Sequence, residues 1–183
     1  MVNKDSNEEI SGWHDLELVP STLDERHVTG LIEISKGSSE KFELMKTMEM
    51  NPIMQDTKKD SSGNTILRNY GMPIIFNYGM IPQTWEDTLL GGDDDPLDIV
   101  DLGQSNKKPI FGVYDWLVLG SLGLIDQGEM DWKILAIEVN EAKRVGVNSV
   151  EDYRRLFPGA IGEVREWFRT YKTLEGKKEN KFT

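Results

Sequence analysis

Apolar and polar positions alternate in short bursts along most of the chain, and a helical period takes over only toward its end. Residues 28–35 (VTGLIEIS) alternate well enough to predict a strand, and Lys36-Gly37-Ser38-Ser39 reads as its turn. Residues 41–48 (KFELMKTM) predict a second strand, paired to the first through that turn. Residues 56–64 read as a polar loop with Gly63, and 65–69 resume as a short strand. Residues 72–78 (MPIIFNY) are apolar, but Pro73 makes them irregular or an edge segment. Glycines and prolines make 79–96 loop-like. Three further strands are predicted over 96–102, 110–119 and 131–139.

Helices come late. Ser149 is a fitting N-cap for a short helix to Phe157, with Glu151 and Asp152 in its first turn. Pro158 suits the first turn of a longer helix ending near Lys172. There Ile161, Val164, Trp167, Phe168 and Tyr171 share one face, and Gly176 reads as the stop. Strands followed by helices indicate an α+β domain on a small mixed barrel or curved sheet. Residues 1–12 read as a polar N-terminal arm, 13–19 (WHDLELV) as a docked segment, and 13–183 as one domain.

Charge changes this picture because of where it lies. The 183 residues carry 32 acids and 21 Lys+Arg, a net charge of -11. Residues 86–101 hold Glu86, Asp87, Asp93, Asp94, Asp95, Asp98 and Asp101 with no Lys or Arg, and 126–131 add Asp126, Glu129 and Asp131. Without these, 22 acids face 21 bases, so the acidity is local. The absence of cysteine excludes disulfides, thiol catalysis and thiolate metal sites, and fits a reducing, cytoplasmic setting. Net acidity speaks against nucleic acid as a partner. Residues 1–10 show no secretory signal, and the longest apolar stretch, 110–125, is broken by Asp115 and too short for a membrane helix.

In Asp93-Asp94-Asp95-Pro96-Leu97-Asp98, carboxylates crowd a turn and the strand after it. Such a cluster either raises its pKa values or takes up a cation. With only His14 and His27 available as nitrogen ligands, the donors are oxygen, which favours Mg²⁺, Mn²⁺ or Ca²⁺. In the second cluster Asp131 and Lys133 lie two apart on a strand and face one side, which suits a metal-bound phosphate. Plainer readings stand beside these. An acidic turn is usually a solvated loop, and Asp131 with Lys133 could form a surface ion pair. Trp132, Trp167 and Phe168 read as core, and His14 as a packing residue. An EF-hand loop fits poorly, because Leu97 and Gln104 stand at ligand positions. A haloacid-dehalogenase-type hydrolase using Asp93 as nucleophile, or a non-enzymatic acidic Ca²⁺-binding module, are the alternatives.

Taken together, the motifs resemble the soluble family I inorganic pyrophosphatases of eukaryotic type. Residues 93–98 match the family's Asp-x-Asp-Pro-hydrophobic-Asp run, and 126–133 its Asp-x-Gly-Glu-x-Asp-x-Lys segment. Residues 77–87 resemble its Asn-Tyr-Gly segment. Glu33 with Lys41-Phe42-Glu43 matches two early strands, and Trp167 to Lys172 the late helix with its Tyr-Lys pair. Residues 10–18 (ISGWHDLEL) are similar to the eukaryotic N-terminal extension. The resemblance implies a small closed OB-like mixed β-barrel with flanking C-terminal helices. It implies hydrolysis of pyrophosphate to two orthophosphates by a metal-bridged hydroxide, without a covalent intermediate. Several Mg²⁺ ions would serve each site, with Mn²⁺ as a substitute and Ca²⁺ inhibitory. Asp93, Asp98 and Asp131 would hold the first metal, Asp126 and Asp131 the one arriving with substrate, and Glu33 and Glu43 would act at the cavity's edge through water. Asp95 would be the general base and Tyr78 its catalytic companion. Lys41, Arg68, Tyr78, Lys133, Tyr171 and Lys172 would bind phosphate, in a homodimer. Family members usually continue several tens of residues beyond the Tyr-Lys helix, whereas this sequence ends at Thr183.

Overall fold

The computed structural model describes residues 1, 7–104 and 107–183. Residues 2–6 of the expected polar arm lie outside them. In chain order the strands are β1 (His27–Ile34), β2 (Phe42–Leu44), β3 (Ile53–Gln55), β4 (Thr57–Lys59), β5 (Thr65–Leu67), β6 (Tyr78–Met80), β7 (Asp98–Asp101), β8 (Val113–Asp126), β9 (Glu129–Glu138) and β10 (Lys181–Phe182). The helices are α1 (Val139–Val145), α2 (Val150–Leu156) and α3 (Ala160–Thr170).

The main sheet closes on itself. β1 pairs with β6, β6 with β7, β7 with β9, β9 with β8, and β8 returns to β1; only β7–β9 is parallel. Closure leaves these five strands no open edge along the paired stretches, the barrel the sequence predicts. β10 adds to the far end of β8, with Phe182 opposite Leu124. Gly79 of the Asn-Tyr-Gly segment is required by the close approach of β6 to β1, because a Cβ there would fall on the Leu31 carbonyl.

Side chains alternate along the barrel strands. Val100, Leu135 and Ile137 join one cluster with Tyr153, Val164, Trp167, Phe168 and Tyr171 from the helical side, while Ile99 and Ala136 join a second with Ile32 and Trp116. The apolar face predicted for the last helix is therefore the face that packs. Residues 13–19 do dock: Trp13 Nε1 donates to the Thr84 carbonyl at 2.9 Å.

Several expectations need correction. β2 does not pair with β1, because β6 and β8 already occupy both edges of β1; it pairs with β3 instead. The polar loop at 56–64 is part of a hairpin, β4 with β5, whose residues are all exposed and so carry no apolar alternation. α1 follows β9 without a spacer, and the Glu138 carboxylate caps it by accepting from Asn140 and Glu141 N–H groups. Its seven residues are too few for a helical period to stand out beside the strand before them. β8 runs on past Leu119 through Gly120 and Gly123 to Asp126. α2 is capped by Ser149 as predicted, whereas α3 starts after Gly159, so Pro158 precedes its cap.

Candidate active site

Strand pairing sets the middle of the site. Asp98 opens β7 and lies in register with Lys133 on the parallel neighbour β9. Asp131 lies two residues before Lys133 and faces the same side, so both are buried while Trp132 turns outward and is 38% exposed. Trp132 is thus not a core residue; it lies over Gly123, its partner in the β8–β9 register. Lys133 Nζ contacts both Asp98 and Asp131, and donates to Tyr78 Oη at 3.0 Å. Asp131 and Lys133 are therefore no surface ion pair.

The turn before β7 supplies two more carboxylates. Asp95 N–H donates to Asp93 Oδ1 at 3.1 Å, and Asp94 between them takes a left-handed φ of 68°, which Asp tolerates better than most residues. The second motif is the tip of the β8–β9 hairpin. Gln127 and Gly128 both have positive φ, 54° and 104°, the geometry a tight two-residue turn needs. That turn leaves Asp126 at the end of β8, where Lys172 grips it and Tyr171 Oη donates at 3.3 Å. Tyr171 and Lys172 come from just past the end of α3.

The remaining residues come from the early strands. Glu33 sits where the β1–β6 register shifts, and its Oε1 accepts from Leu44 N–H at 2.8 Å. Lys41 contacts Glu43, and Asp56 lies 3.5 Å from Lys41 and 2.9 Å from Arg68. One cleft of about 200 Å³ is lined by every residue predicted for the site: Glu33, Lys41, Glu43, Arg68, Tyr78, Asp93, Asp95, Asp98, Asp126, Asp131, Lys133, Tyr171 and Lys172. Trp167 and Phe168, expected in the core, are buried there and also form part of its wall. His14 lies elsewhere, stacked on Trp13 with ring centroids 4.5 Å apart.

Burial and like charge dominate the electrostatics. Burial, with Glu43 and Asp95 nearby, pushes Glu33 up to about 8. Burial and the Asp131 charge raise Asp93 to about 6. Asp98 is raised well above the carboxylate range by burial, against the pull of Lys133. Burial alone would lower Lys133, but Asp98 and Asp131 outweigh it and hold the ammonium protonated. Burial also raises the Tyr78 and Tyr171 phenols, which stay neutral donors. A concentration of buried, partly repelling carboxylates in a cleft lined by no histidine or cysteine fits a hard divalent cation.

Sequence reasoning missed three contributors. Glu86 is 6% exposed, and its carboxylate, with those of Asp93 and Asp131, offers oxygens within 4.8 Å of one another. Burial and those two charges raise it to about 7. Asp56 ties Lys41 and Arg68 in place, and Lys46 pairs with Asp95 at 2.8 Å. Glu86 belongs to the acid run at 86–101, but nothing in its loop sequence signals burial; Asp56 and Lys46 carry no local signal at all.

Comparisons with known proteins converge. The family model described as inorganic pyrophosphatase matches residues 30–183. A protein named soluble inorganic pyrophosphatase 6, chloroplastic, from Arabidopsis thaliana is 40% identical over 97% of this chain and 59% of its own length. Soluble inorganic pyrophosphatase 1, chloroplastic, from Chlamydomonas reinhardtii is 42% identical over 100% of this chain and 64% of its own. The chain thus spans about three fifths of these curated relatives. Among solved structures, type I inorganic pyrophosphatase from Toxoplasma gondii superposes with a TM-score of 0.88 at 41% identity, over 98% of this chain and 80% of that one. An N-terminally truncated vacuolar soluble pyrophosphatase from Trypanosoma cruzi, solved in complex with PPi, gives 0.86 at 34% identity, over 98% of this chain and 72% of that one.

Proposed function

This chain belongs to the inorganic pyrophosphatase family, and from that premise we propose that it hydrolyses pyrophosphate to two orthophosphates in a Mg²⁺-dependent reaction without a covalent intermediate. The observation that carries the proposal is the convergence of acidic, basic and phenolic side chains from distant segments on one cleft.

Asp93, Asp98 and Asp131 would hold the first cation, and Asp126 with Asp131 the one that comes with substrate. Glu33 and Glu43 would act at the edge through water. Bound there, divalent cations supply positive charge that lets an acidic cleft accept a polyanion and makes water a better nucleophile. The orphaned buried Oε2 of Glu86 beside these carboxylates supports the fit. Mn²⁺ would substitute for Mg²⁺, and Ca²⁺ would inhibit.

The chain's own residues do the rest. Asp95, half-exposed at the lip, accepts the proton of the attacking water. Tyr78 presents a neutral Oη beside Lys133. Lys41, Arg68, Lys133, Tyr171 and Lys172 hold the phosphoryl oxygens and stabilise charge as it shifts onto the leaving phosphate. Without substrate these cations rest on local acids: Lys41 on Glu43, Arg68 on Asp56, Lys133 on Asp98 and Asp131, Lys172 on Asp126. They keep their charge in place until an anion competes for it.

Residues 13–183 form the working domain in this proposal, and the chain acts as a homodimer, which light scattering would check. A cytoplasmic setting is part of the same reading; its support is the cysteine-free composition. Among the described residues no helix is long and apolar enough to cross a membrane.

Phosphate release from pyrophosphate, compared between the unaltered chain and Asp95→Asn, tests the reaction. The expected result is release that falls about 10²–10⁴-fold in the variant, the usual contribution of a general base. Equal turnover would remove Asp95 from that role, and no release from either would remove the activity.

A further inference from the structure

We propose that Glu86 is an additional carboxylate of the cation centre at Asp93 and Asp131, and the clamp that sets the distance between the two motifs carrying them. The inference rests on the metal-centre reading above and extends it to a residue outside both motifs.

Three observations carry it. Glu86 is 6% exposed, and its Oε2 is buried without any hydrogen-bond partner. A buried carboxylate oxygen left unpaired costs free energy, so its place is explained by a ligand that takes the open position. Glu86 also contributes an oxygen to a cluster with Asp93 and Asp131 in which the ligand atoms all lie within 4.8 Å of one another, so a small inward shift of the side chains brings all three onto one cation.

The backbone explains how Glu86 reaches there. Its N–H donates to the Asp95 carbonyl at 2.8 Å, and its own carbonyl accepts from Asp94 at 3.1 Å, which fastens it to the first motif. Its Oε1 accepts from Trp132 N–H at 2.9 Å, which fastens it to the second. Gly92 lets the two strands of this loop close up, since a Cβ there would meet the Glu86 carbonyl carbon at 2.5 Å. Met130 N–H, donating to Gly91 O at 2.7 Å, completes the seam. One oxygen of Glu86 therefore fixes Asp131 through its neighbour Trp132, and the other is left for the cation.

Glu86→Gln separates the two roles. The amide oxygen keeps the bond from Trp132 N–H, while an NH2 group replaces the free oxygen, so the charge and the ligand atom offered to the cation are lost. Calorimetric titration with Mn²⁺ alone, run on the full chain, Glu86→Gln and Asp93→Asn, reads the ligand role; melting temperature with and without Mn²⁺ reads the clamp. The expected result for Glu86→Gln is Mn²⁺ affinity lower by roughly 10–100-fold. Its metal-free melting temperature should be unchanged or higher, because one member of a repelling cluster is neutralised. The Mn²⁺-induced rise in melting temperature should shrink. Unchanged Mn²⁺ affinity in Glu86→Gln, beside weakened affinity in Asp93→Asn, overturns the ligand role and leaves the metal centre standing. Unchanged affinity in both overturns the metal centre itself. A metal-free melting temperature that falls while the Mn²⁺-induced rise persists marks a structural residue only. If Glu86→Gln does not fold, Glu86→Asp, which keeps charge but shortens reach, should bind Mn²⁺ more weakly than the unaltered chain; equal binding overturns the proposal.

Discussion

The two walls of the cleft solve opposite problems. One wall, Glu33, Asp93, Asp98 and Asp131, with Glu86 beside Asp93 and Asp131, places carboxylates on or beside barrel strands, where backbone pairing prevents them from moving apart. Burial and mutual repulsion raise Glu33, Glu86, Asp93 and Asp98, and Lys133, in contact with Asp98 and Asp131, is the buried counter-charge at their centre. The other wall, Lys41, Arg68, Tyr171 and Lys172, comes from the residues just before β2, just after β5 and just beyond α3, and each of its cations already has an acid at hand. The first wall holds its carboxylates together by the fold, and in the proposed function cations relieve their repulsion. The second has each cation paired with an acid, and in the proposed reaction it exchanges those partners for the substrate's oxygens. Rigidity belongs with the repelling groups because strain is maintained only where the surrounding fold overdetermines position.

That contrast can be broken in several ways. The largest effect is expected from Asp95→Asn at the lip of the acidic wall, already described, which should leave the fold and metal binding intact. Next is Lys133→Met. Removing the one cation buried between Asp98 and Asp131 should destabilise the metal-free protein by about 3–5 kcal/mol, the usual cost of leaving a buried charge unpaired. Urea unfolding with metal removed checks this, and a loss no larger than that of a surface lysine would mean that the acidic wall is not under strain. A smaller change is expected from Arg68→Lys on the other wall. It loses the planar fork but keeps the charge, so KM should rise by roughly tenfold, with Mn²⁺ affinity unchanged. A matching fall in metal affinity would blur the two walls into one.

The mildest test is pH. Folding raises Glu33 from 4.5 to about 8, Glu86 from 4.5 to about 7 and Asp93 from 3.8 to about 6. The folded state then binds more protons than the unfolded one across roughly pH 4–8, so metal-free stability is greatest at the acid end and is lost as pH rises through these values. Melting temperatures of the metal-free protein should fall between about pH 5 and 8, and Mg²⁺ should restore more stability at the alkaline end, where its ligands are ionised. A metal-free melting temperature that climbs over this range would contradict the assignment.

How much was legible beforehand follows the same division. The first strand, β1, announces itself by alternation in the sequence, β7 and β9 fall within the strands read at 96–102 and 131–139, and the packed face of α3 shows in its helical period. Of the β4–β5 hairpin, which has no buried face, β5 falls in the short strand read at 65–69 while β4 was hidden, as was α1, too short for a period. The pairing of β2 with β3 depends on which edges of β1 are already taken, which is decided by residues more than 40 positions away. Within the site, residues carried by compact motifs were readable from type and spacing, down to Asp93, Asp98, Asp131 and Lys133. Glu86 was not, because its importance lies in burial and an unpaired oxygen, and loop sequence records neither. Trp132 shows the reverse: its apolar bulk suggests core, while the period of two on β9 turns it outward because Asp131 and Lys133 turn in.

The most direct test of the whole account is a metal titration of activity. The chain is stripped of divalent cations with a chelator, Mg²⁺ is returned stepwise, and phosphate release from pyrophosphate is followed at each step. The account predicts no release from the stripped protein and a rise to full turnover as Mg²⁺ fills the acidic wall. Release that is the same with and without Mg²⁺, or absent at every Mg²⁺ concentration, would contradict it.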